Sequence, residues 1–340
     1  MTAVTERNVL VTGGAGYIGS HTSHRLIEAG FGVVVLDNLY SGHAWAVPER
    51  ATFVRGDAGD ASLARELIRR HAIDAVVHFA GHIIVPESVK DPLKYYRNNV
   101  AVSRNLIEAC IAEDVAQFVF SSSAAVYGVP PQSSQICEDA ALAPINPYGR
   151  TKLMVEWMLE DAARAFPSFR YEALRYYNVA GARLDGTLGQ ATPDSTHLIK
   201  IASEAACGLR DRVSIFGTDY PTPDGTCVRD YLHVEDLARA HIDALEYLRR
   251  DGASRVLNCG YGKGYSVREI LKVAREVSGV DFPVEEAARR AGDPPSLVAD
   301  ARRIRDVLGW RPRHDDIRVI CESAIRWERS LQGMSKSRKP

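Results

Sequence analysis

Tyr148 and Lys152 stand one helical turn apart in the run Tyr148-Gly149-Arg150-Thr151-Lys152. On a helix that spacing puts a phenol and an ammonium on one face. A cation beside a phenol favours the phenolate, which is how a group with an ordinary pKa of about 10 becomes a base near neutral pH. Upstream lies Ser121-Ser122-Ser123-Ala124-Ala125-Val126-Tyr127-Gly128, at the end of a strand-like run. A hydroxyl at the carboxyl end of a parallel strand faces the ligand crevice. Ser123 can then hydrogen-bond an alcohol under oxidation and pass its proton to Tyr148, with Lys152 lowering the phenol's pKa. Tyr-x-x-x-Lys alone also fits ordinary surface helices, so its meaning depends on the elements that position it.

Those elements alternate. Asn8 to Thr12, Val33 to Leu36, Ala75 to Phe79, Gln117 to Ser121 and Tyr171 to Tyr176 read as strands with continuous apolar runs. Runs of that kind suit parallel strands covered on both faces. Helical patterns lie between them over Ile18–Ala29, Ser62–His71, Leu93–Ala112 and Tyr148–Phe166. Strand–helix alternation predicts an α/β fold, a Rossmann-type doubly wound parallel sheet. After Asn178 loops lengthen, notably over Gly181–Thr196 and Gly217–Arg229. We therefore expect residues 1–177 to form a dinucleotide-binding domain. Residues 178–334 form a smaller mixed α/β C-terminal substrate lobe, with some segments returning to the first domain, and 335–340 form a frayed basic tail.

The first strand runs into Gly13-Gly14-Ala15-Gly16-Tyr17-Ile18-Gly19. Gly13 permits a tight turn, Gly16 lets the backbone approach a pyrophosphate, and Gly19 allows close helix–strand packing. The following helix, opening at Tyr17 and Ile18, aims free N–H groups at the phosphates. The second strand ends at Asp37-Asn38, where a carboxylate accepts ribose hydroxyls and repels a 2′-phosphate. No Arg follows, so the expected cofactor is NAD, with Lys152 expected to hold its nicotinamide ribose. Asp57 and Ala58, after a third strand, are placed to meet the adenine, and Phe79-Ala80-Gly81 lets the chain pass close to the dinucleotide.

Bulk properties are ordinary for a folded soluble protein. The 340 residues are 46% hydrophobic and 25% charged, with formal net charge -1. That balance asks for neither nucleic acid nor an anionic membrane. The six cysteines, Cys110, Cys137, Cys207, Cys227, Cys259 and Cys321, form no Cys-x-x-Cys pair or metal-ligand spacing. They read as reduced thiols, and with no signal or membrane-spanning segment the expected location is cytoplasmic.

Taken together, these motifs resemble the extended short-chain dehydrogenase/reductase superfamily and, within it, the UDP-glucose 4-epimerases. The second-lobe motifs make the resemblance specific: Leu174-Arg175-Tyr176-Tyr177-Asn178, Asp224-Gly225-Thr226, Val228-Arg229-Asp230-Tyr231 and Arg289-Arg290-Ala291-Gly292-Asp293. The resemblance implies inversion at C4 of a UDP-hexose through a 4-keto sugar, with Tyr148 as base. It adds Asn98, Ser121 and Tyr177 to the cofactor residues. It assigns Asn178, His197, Leu198, Phe216, Arg229, Arg290 and Asp293 to the nucleotide sugar, and it implies a homodimer through the helices Leu93–Ala112 and Tyr148–Phe166. Guanidinium forks suit the diphosphate, and Asp293 suits the uridine ribose.

Three positions depart from the family pattern. Ile83 replaces a Lys that helps hold the cofactor, with His82 beside it as a substitute. His197 stands where Asn is common. Leu297 replaces a bulky Tyr, which leaves room for an N-acetyl group, so epimerases of UDP-N-acetylhexosamines or of UDP-xylose and UDP-arabinose are the alternatives. A nucleotide-sugar 4,6-dehydratase would need an Asp-Glu pair after Ser123, where Ala124-Ala125 stands. A non-catalytic dinucleotide sensor would not need both Tyr148 and Lys152.

Overall fold

The computed structural model describes residues 7–130, 135–193, 195–290 and 293–337, with side chains through residue 333. Ala291, Gly292 and the tail end 338–340 lie outside the described residues.

The apolar runs form a seven-stranded parallel sheet. Its strands are β1 (Asn8–Thr12), β2 (Gly32–Asp37), β3 (Thr52–Arg55), β4 (Ile73–His78), β5 (Gln117–Ser123), β6 (Arg170–Tyr176) and, from the second half of the chain, β10 (Arg255–Cys259). Their spatial order is β10-β6-β5-β4-β1-β2-β3. Strand alternation sends Val9, Val11, Val33 and Val35 to one face and Leu10, Val34 and Leu36 to the other. Helices α1 (Tyr17–Glu28) and α8 (Val234–Arg249) cover the first face. Helices α2 (Ala61–Arg70), α5 (Val102–Ala112) and α6 (Pro147–Ala165) cover the second. Burial on both faces is why these strands read as continuous rather than alternating apolar runs. The chain leaves β1 for β2 and β3 on one side, then returns to β4 on the other, which opens a crevice at the carboxyl ends.

The remaining elements build a smaller layer beside that crevice. Strand β9 (Val228–His233) pairs with β7 (Asn178–Ala180), β11 (Gly264–Ser266) and β13 (Ser296–Leu297). Strand β8 (Val213–Phe216) pairs with β12 (Val284–Ala287). Helices α7 (Leu198–Ala206), α9 (Val267–Ser278) and α11 (Ile317–Ser337) pack against these strands, and α10 (Arg302–Leu308) leans on β10.

Two expected boundaries fail. The helix expected over Leu93–Ala112 is three pieces: α4 (Pro92–Tyr95), a π-helical turn Tyr96–Ala101, and α5. The wide turn aims Asn99 inward, where its amide donates to His82 O (3.0 Å) and Thr151 Oγ1 (3.1 Å) and its carbonyl oxygen accepts from His82 N (2.8 Å). A single π turn that redirects one side chain is a common local solution. A preceding short helix, α3 (Val85–Lys90), leads into it. At the other end, α11 runs through Ser337, past the expected tail start at 335. The docked part of that helix buries Ile320, Ile325 and Trp327, and extending a formed helix costs little.

Three buried histidines stay neutral. Burial lowers His78 to about 3, aided by Lys152; it lowers His233 to about 3, aided by His314. Burial also lowers His241 to about 4 against the pull of its bond to the Leu237 carbonyl (2.9 Å). From pH 6.5 downward the unfolded chain binds protons that these folded imidazoles refuse, so stability falls as pH falls toward 4. His241 lies between Phe79 and Tyr176, and its Nε2 finds no partner among the described residues. His241→Phe should therefore flatten urea-unfolding stability measured from pH 7 to 4.5 by about one proton, ~1.4 kcal/mol per pH unit. An unchanged slope would show that His241 is charged in the fold.

Candidate active site

Tyr148 is set at the first turn of α6. Asn146 caps the helix, its side-chain oxygen accepting from Gly149 N (2.8 Å), and Pro147 opens it. Tyr148 follows and is buried. A Cβ at Gly149 would stand 2.6 Å from Ala125 O. The missing side chain thus lets α6 touch the 3-10 turn Ala124–Tyr127 that ends β5, which brings Tyr148 to Ser123. Alternation along β5 sends Ser121 and Ser123 to the crevice and Ser122 to the opposite side, where its hydroxyl donates to Glu156.

Lys152 lies behind the phenol. Its Nζ donates to Ser121 O (2.7 Å) and sits 5.9 Å from the Tyr148 ring centre. Burial pushes this ammonium down to about 8, while Glu156 pulls the other way. Glu156 is itself buried, bound by Arg175 through Nε (2.9 Å) and Nη2 (2.6 Å). Arg175 Nη1 also donates to Tyr127 OH (2.9 Å), which donates to Asn258 (2.7 Å).

The phenol departs from the sequence expectation. Burial raises its pKa above the ordinary value, and only the nearby Ser123 hydroxyl pulls it down. Lys152 does not reverse the burial penalty in the protein alone. Desolvation outweighs one ammonium that is already hydrogen-bonded elsewhere.

A cleft of about 340 Å³ runs along the carboxyl ends of the strands, within the usual ~300–1,000 Å³ of ligand sites. Gly13, Gly16, Tyr17, Ile18 and Gly19 line it, as do Asp37, Asn38, Asp57 and Ala58. Phe79, Ala80, Gly81, Asn98, Ser121 and Tyr177 continue the wall. Helix α1 begins at Gly16 with no side-chain cap and no acidic residue in its first turn. Its leading N–H groups are left for an anion. Asp37 accepts from Ala15 N (2.9 Å) and Leu39 N (2.8 Å), one to each oxygen, so lone pairs remain for ribose hydroxyls. These residues fit a dinucleotide.

Ser123, Tyr148, Asn178, His197 and Leu297 line the same cleft. His197 Nδ1 pairs with the Gln190 amide (2.9 Å), and burial lowers its pKa. The other expected substrate residues are not in that wall. The Arg290 guanidinium covers the Phe216 ring at 3.7 Å. Arg229 Nη2 lies 3.7 Å from Asp293, and its backbone pairs with Leu297 across β9 and β13. The Leu198 side chain packs into the apolar core of the smaller layer, so a ligand contact there falls to its backbone.

A model of the NAD dependent epimerase/dehydratase family matches residues 9–260. The chain belongs to that family. It is 56% identical over 331 residues to a UDP-glucose 4-epimerase of Azospirillum brasilense, covering 97% of this chain and 94% of the relative. The crystal structure of UDP-glucose 4-epimerase from Brucella ovis in complex with NAD superposes with a TM-score of 0.91 at 48% identity. It covers 94% of this chain and 97% of that one. A UDP-Glc/GlcNAc 4-epimerase from Campylobacter jejuni is 49% identical, with a TM-score of 0.83 over 95% of this chain and 99% of that one.

Within this epimerase/dehydratase chain, sequence reasoning passed over several residues. Tyr176 lines the cleft, and its hydroxyl bonds the Ser121 hydroxyl. Its pairing opposite Ser123 across β5 and β6 was the available signal, since it needed only the register. Gln190 sits in an irregular loop with no periodic pattern to expose it. Glu156 is one turn beyond Lys152, yet nothing in the sequence names Arg175 as its partner.

Gly149→Ala tests the close approach. Alanine favours a helix over glycine by about 1 kcal/mol, yet here its methyl meets the Ala125 carbonyl. The substitution should lower the urea midpoint and reduce kcat more than tenfold by moving Tyr148 from Ser123. Gained stability with normal kcat would refute the contact.

Proposed function

We propose that this protein inverts C4 of a UDP-hexose, interconverting UDP-galactose and UDP-glucose with tightly held NAD. The observation that carries the reading is a single cleft. Ser123 and Tyr148 share one wall system with the glycine-rich turn and Asp37 on one side and Asn178, His197 and Leu297 on the other. A sugar carbon can therefore lie beside a nicotinamide and a base at once. The family relatives support the same reaction.

NAD, when bound, supplies the acceptor for the C4 hydride and the positive ring charge that favours a phenolate. Tyr148 takes the 4-hydroxyl proton, directly or through Ser123, leaving a 4-keto sugar. Lys152, fixed by Ser121 O, holds positive charge behind the phenol. Tyr148 returns the proton after the keto sugar has turned its other face toward the hydride. Arg229, Arg290, Asp293 and Phe216 would grip the nucleotide, while the small Leu297 leaves the sugar room to turn. A turning sugar and an anchored nucleotide explain why charged residues cluster away from the reacting wall.

We further infer a cytoplasmic homodimer. All six cysteines are free thiols, and no helix among the described residues is long and apolar enough to cross a membrane. Val89, Leu93 and Trp157 are exposed at 62%, 74% and 52% on α3, α4 and α6, which pack together. A mass near twice 37.4 kDa in light scattering is expected, and a monomer at working concentrations would remove the dimer.

Purified protein should interconvert UDP-galactose and UDP-glucose without added reductant and reach one ratio from either side. Tyr148→Phe combined with Ser123→Ala should lower kcat by about 10²–10⁴-fold or more with the melting temperature preserved. A panel adding UDP-GlcNAc and UDP-xylose should show the plain hexoses turned over best. Normal turnover in the double variant, or turnover of the pentose alone, would sink the assignment.

A further inference from the structure

We propose that Tyr40, His82 and Lys94 form a clasp across the cofactor cleft that slows the release of NAD. The proposal rests on the NAD reading above. Strands β2 and β4 flank β1 on either side. The loops leaving their carboxyl ends therefore stand on opposite banks of the glycine-rich turn. In this structure the banks meet. The Tyr40 ring lies on the His82 ring with centroids 4.4 Å apart at 44°, and both residues line the cleft.

Lys94 ties the contact to the far bank. Its Nζ donates to Tyr40 OH (3.0 Å) and lies 5.2 Å from that ring centre. Glu87 accepts from Lys94 (2.5 Å) and from Tyr95 OH (2.9 Å), anchoring the ammonium to α3 and α4. The phenol is thus held by a tilted ring contact with His82 and by a charge-assisted hydrogen bond from Lys94.

The near bank is held under strain. Leu39 has φ 62°, a left-handed backbone that a non-glycine residue adopts only when its surroundings demand it. Asp37 accepts from Leu39 N (2.8 Å) and Asn38 accepts from Tyr40 N (2.9 Å), fixing the loop. A Cβ at Gly42 would lie 2.8 Å from the Ala15 carbonyl carbon, and His43 N donates to Ala15 O (2.9 Å). The loop that carries Tyr40 is therefore pressed onto the glycine-rich turn itself.

Core packing does not account for this arrangement, because Tyr40 is 61% exposed. His82 Nδ1 is buried and finds no hydrogen-bond partner among the described residues; Glu87 Oε2 is 3.9 Å away. A buried polar atom without a partner beside a cleft is a place for a ligand oxygen. Ile83, next to it, offers no charge. Grip that a lysine there would supply comes instead from the stacked pair and Lys94. Retention matters for a reaction whose hydride leaves and returns within one turnover.

Release of radiolabelled NAD from the loaded protein into excess unlabelled NAD tests the clasp. The variants are Tyr40→Ala and Lys94→Met, with Arg104→Ala on the exposed face of α5 as control. Tyr40→Ala should speed release about tenfold, as loss of one aromatic contact and one charge-assisted hydrogen bond implies. Lys94→Met keeps the aliphatic stem and should speed it about threefold. Arg104→Ala should match the parent, and all three should keep the parent's melting temperature without cofactor. Parent-like release from both clasp variants would overturn the clasp and leave NAD binding intact. A parent protein that retains no labelled NAD would overturn the cofactor reading and the clasp with it.

Discussion

One buried carboxylate holds the catalytic side of the molecule together. Glu156 sits on α6 one turn beyond Lys152, bound by Arg175 from β6 and by Ser122 from β5. Removing either charge would leave the other stranded in the interior, which is costly at about 3–5 kcal/mol. The pair therefore locks helix to sheet in one register. Glu156 also opposes the burial that drives Lys152 toward neutrality. The same group that fixes where Tyr148 stands thus keeps a cation behind it.

That arrangement leaves the Tyr148 phenol harder to ionise than a phenol in water. Burial raises the pKa of Tyr148 and lowers that of Lys152, each disfavouring its charged form. Elsewhere in the cleft polar groups stay free for a ligand: the N–H donors of uncapped α1 and the unspent acceptor lone pairs of Asp37. A buried phenol that resists ionisation, beside a groove that fits a dinucleotide, changes its acidity with the charge bound next to it.

Particular residues show how far sequence reading reached. The strands of the main sheet were legible because burial on both faces writes an unbroken apolar run. Gly13 was legible because its turn needs φ +71°, with Ala80 N only 2.6 Å from any added Cβ. The Leu93–Ala112 segment was not, since a π turn keeps helical composition while changing where Asn99 points. The expected tail failed for a related reason: helix propensity does not mark where a docked helix stops. The one-turn spacing of Tyr148 and Lys152 was legible, but the raised pKa of the phenol depends on burial, which spacing does not report.

By itself the sequence determined the parallel sheet, the glycine-rich turn and the one-turn spacing of Tyr148 and Lys152 on α6. Each of those is encoded in neighbouring residues, through periodicity, glycine placement or a single helical turn. Only the tertiary structure decided which distant groups meet. Arg175 reaching Glu156, Leu297 joining the wall that holds Tyr148, and Tyr40 lying on His82 all bring together positions far apart in the chain. The physical reason is that strand order and crossover, not local propensity, bring those side chains within bonding distance.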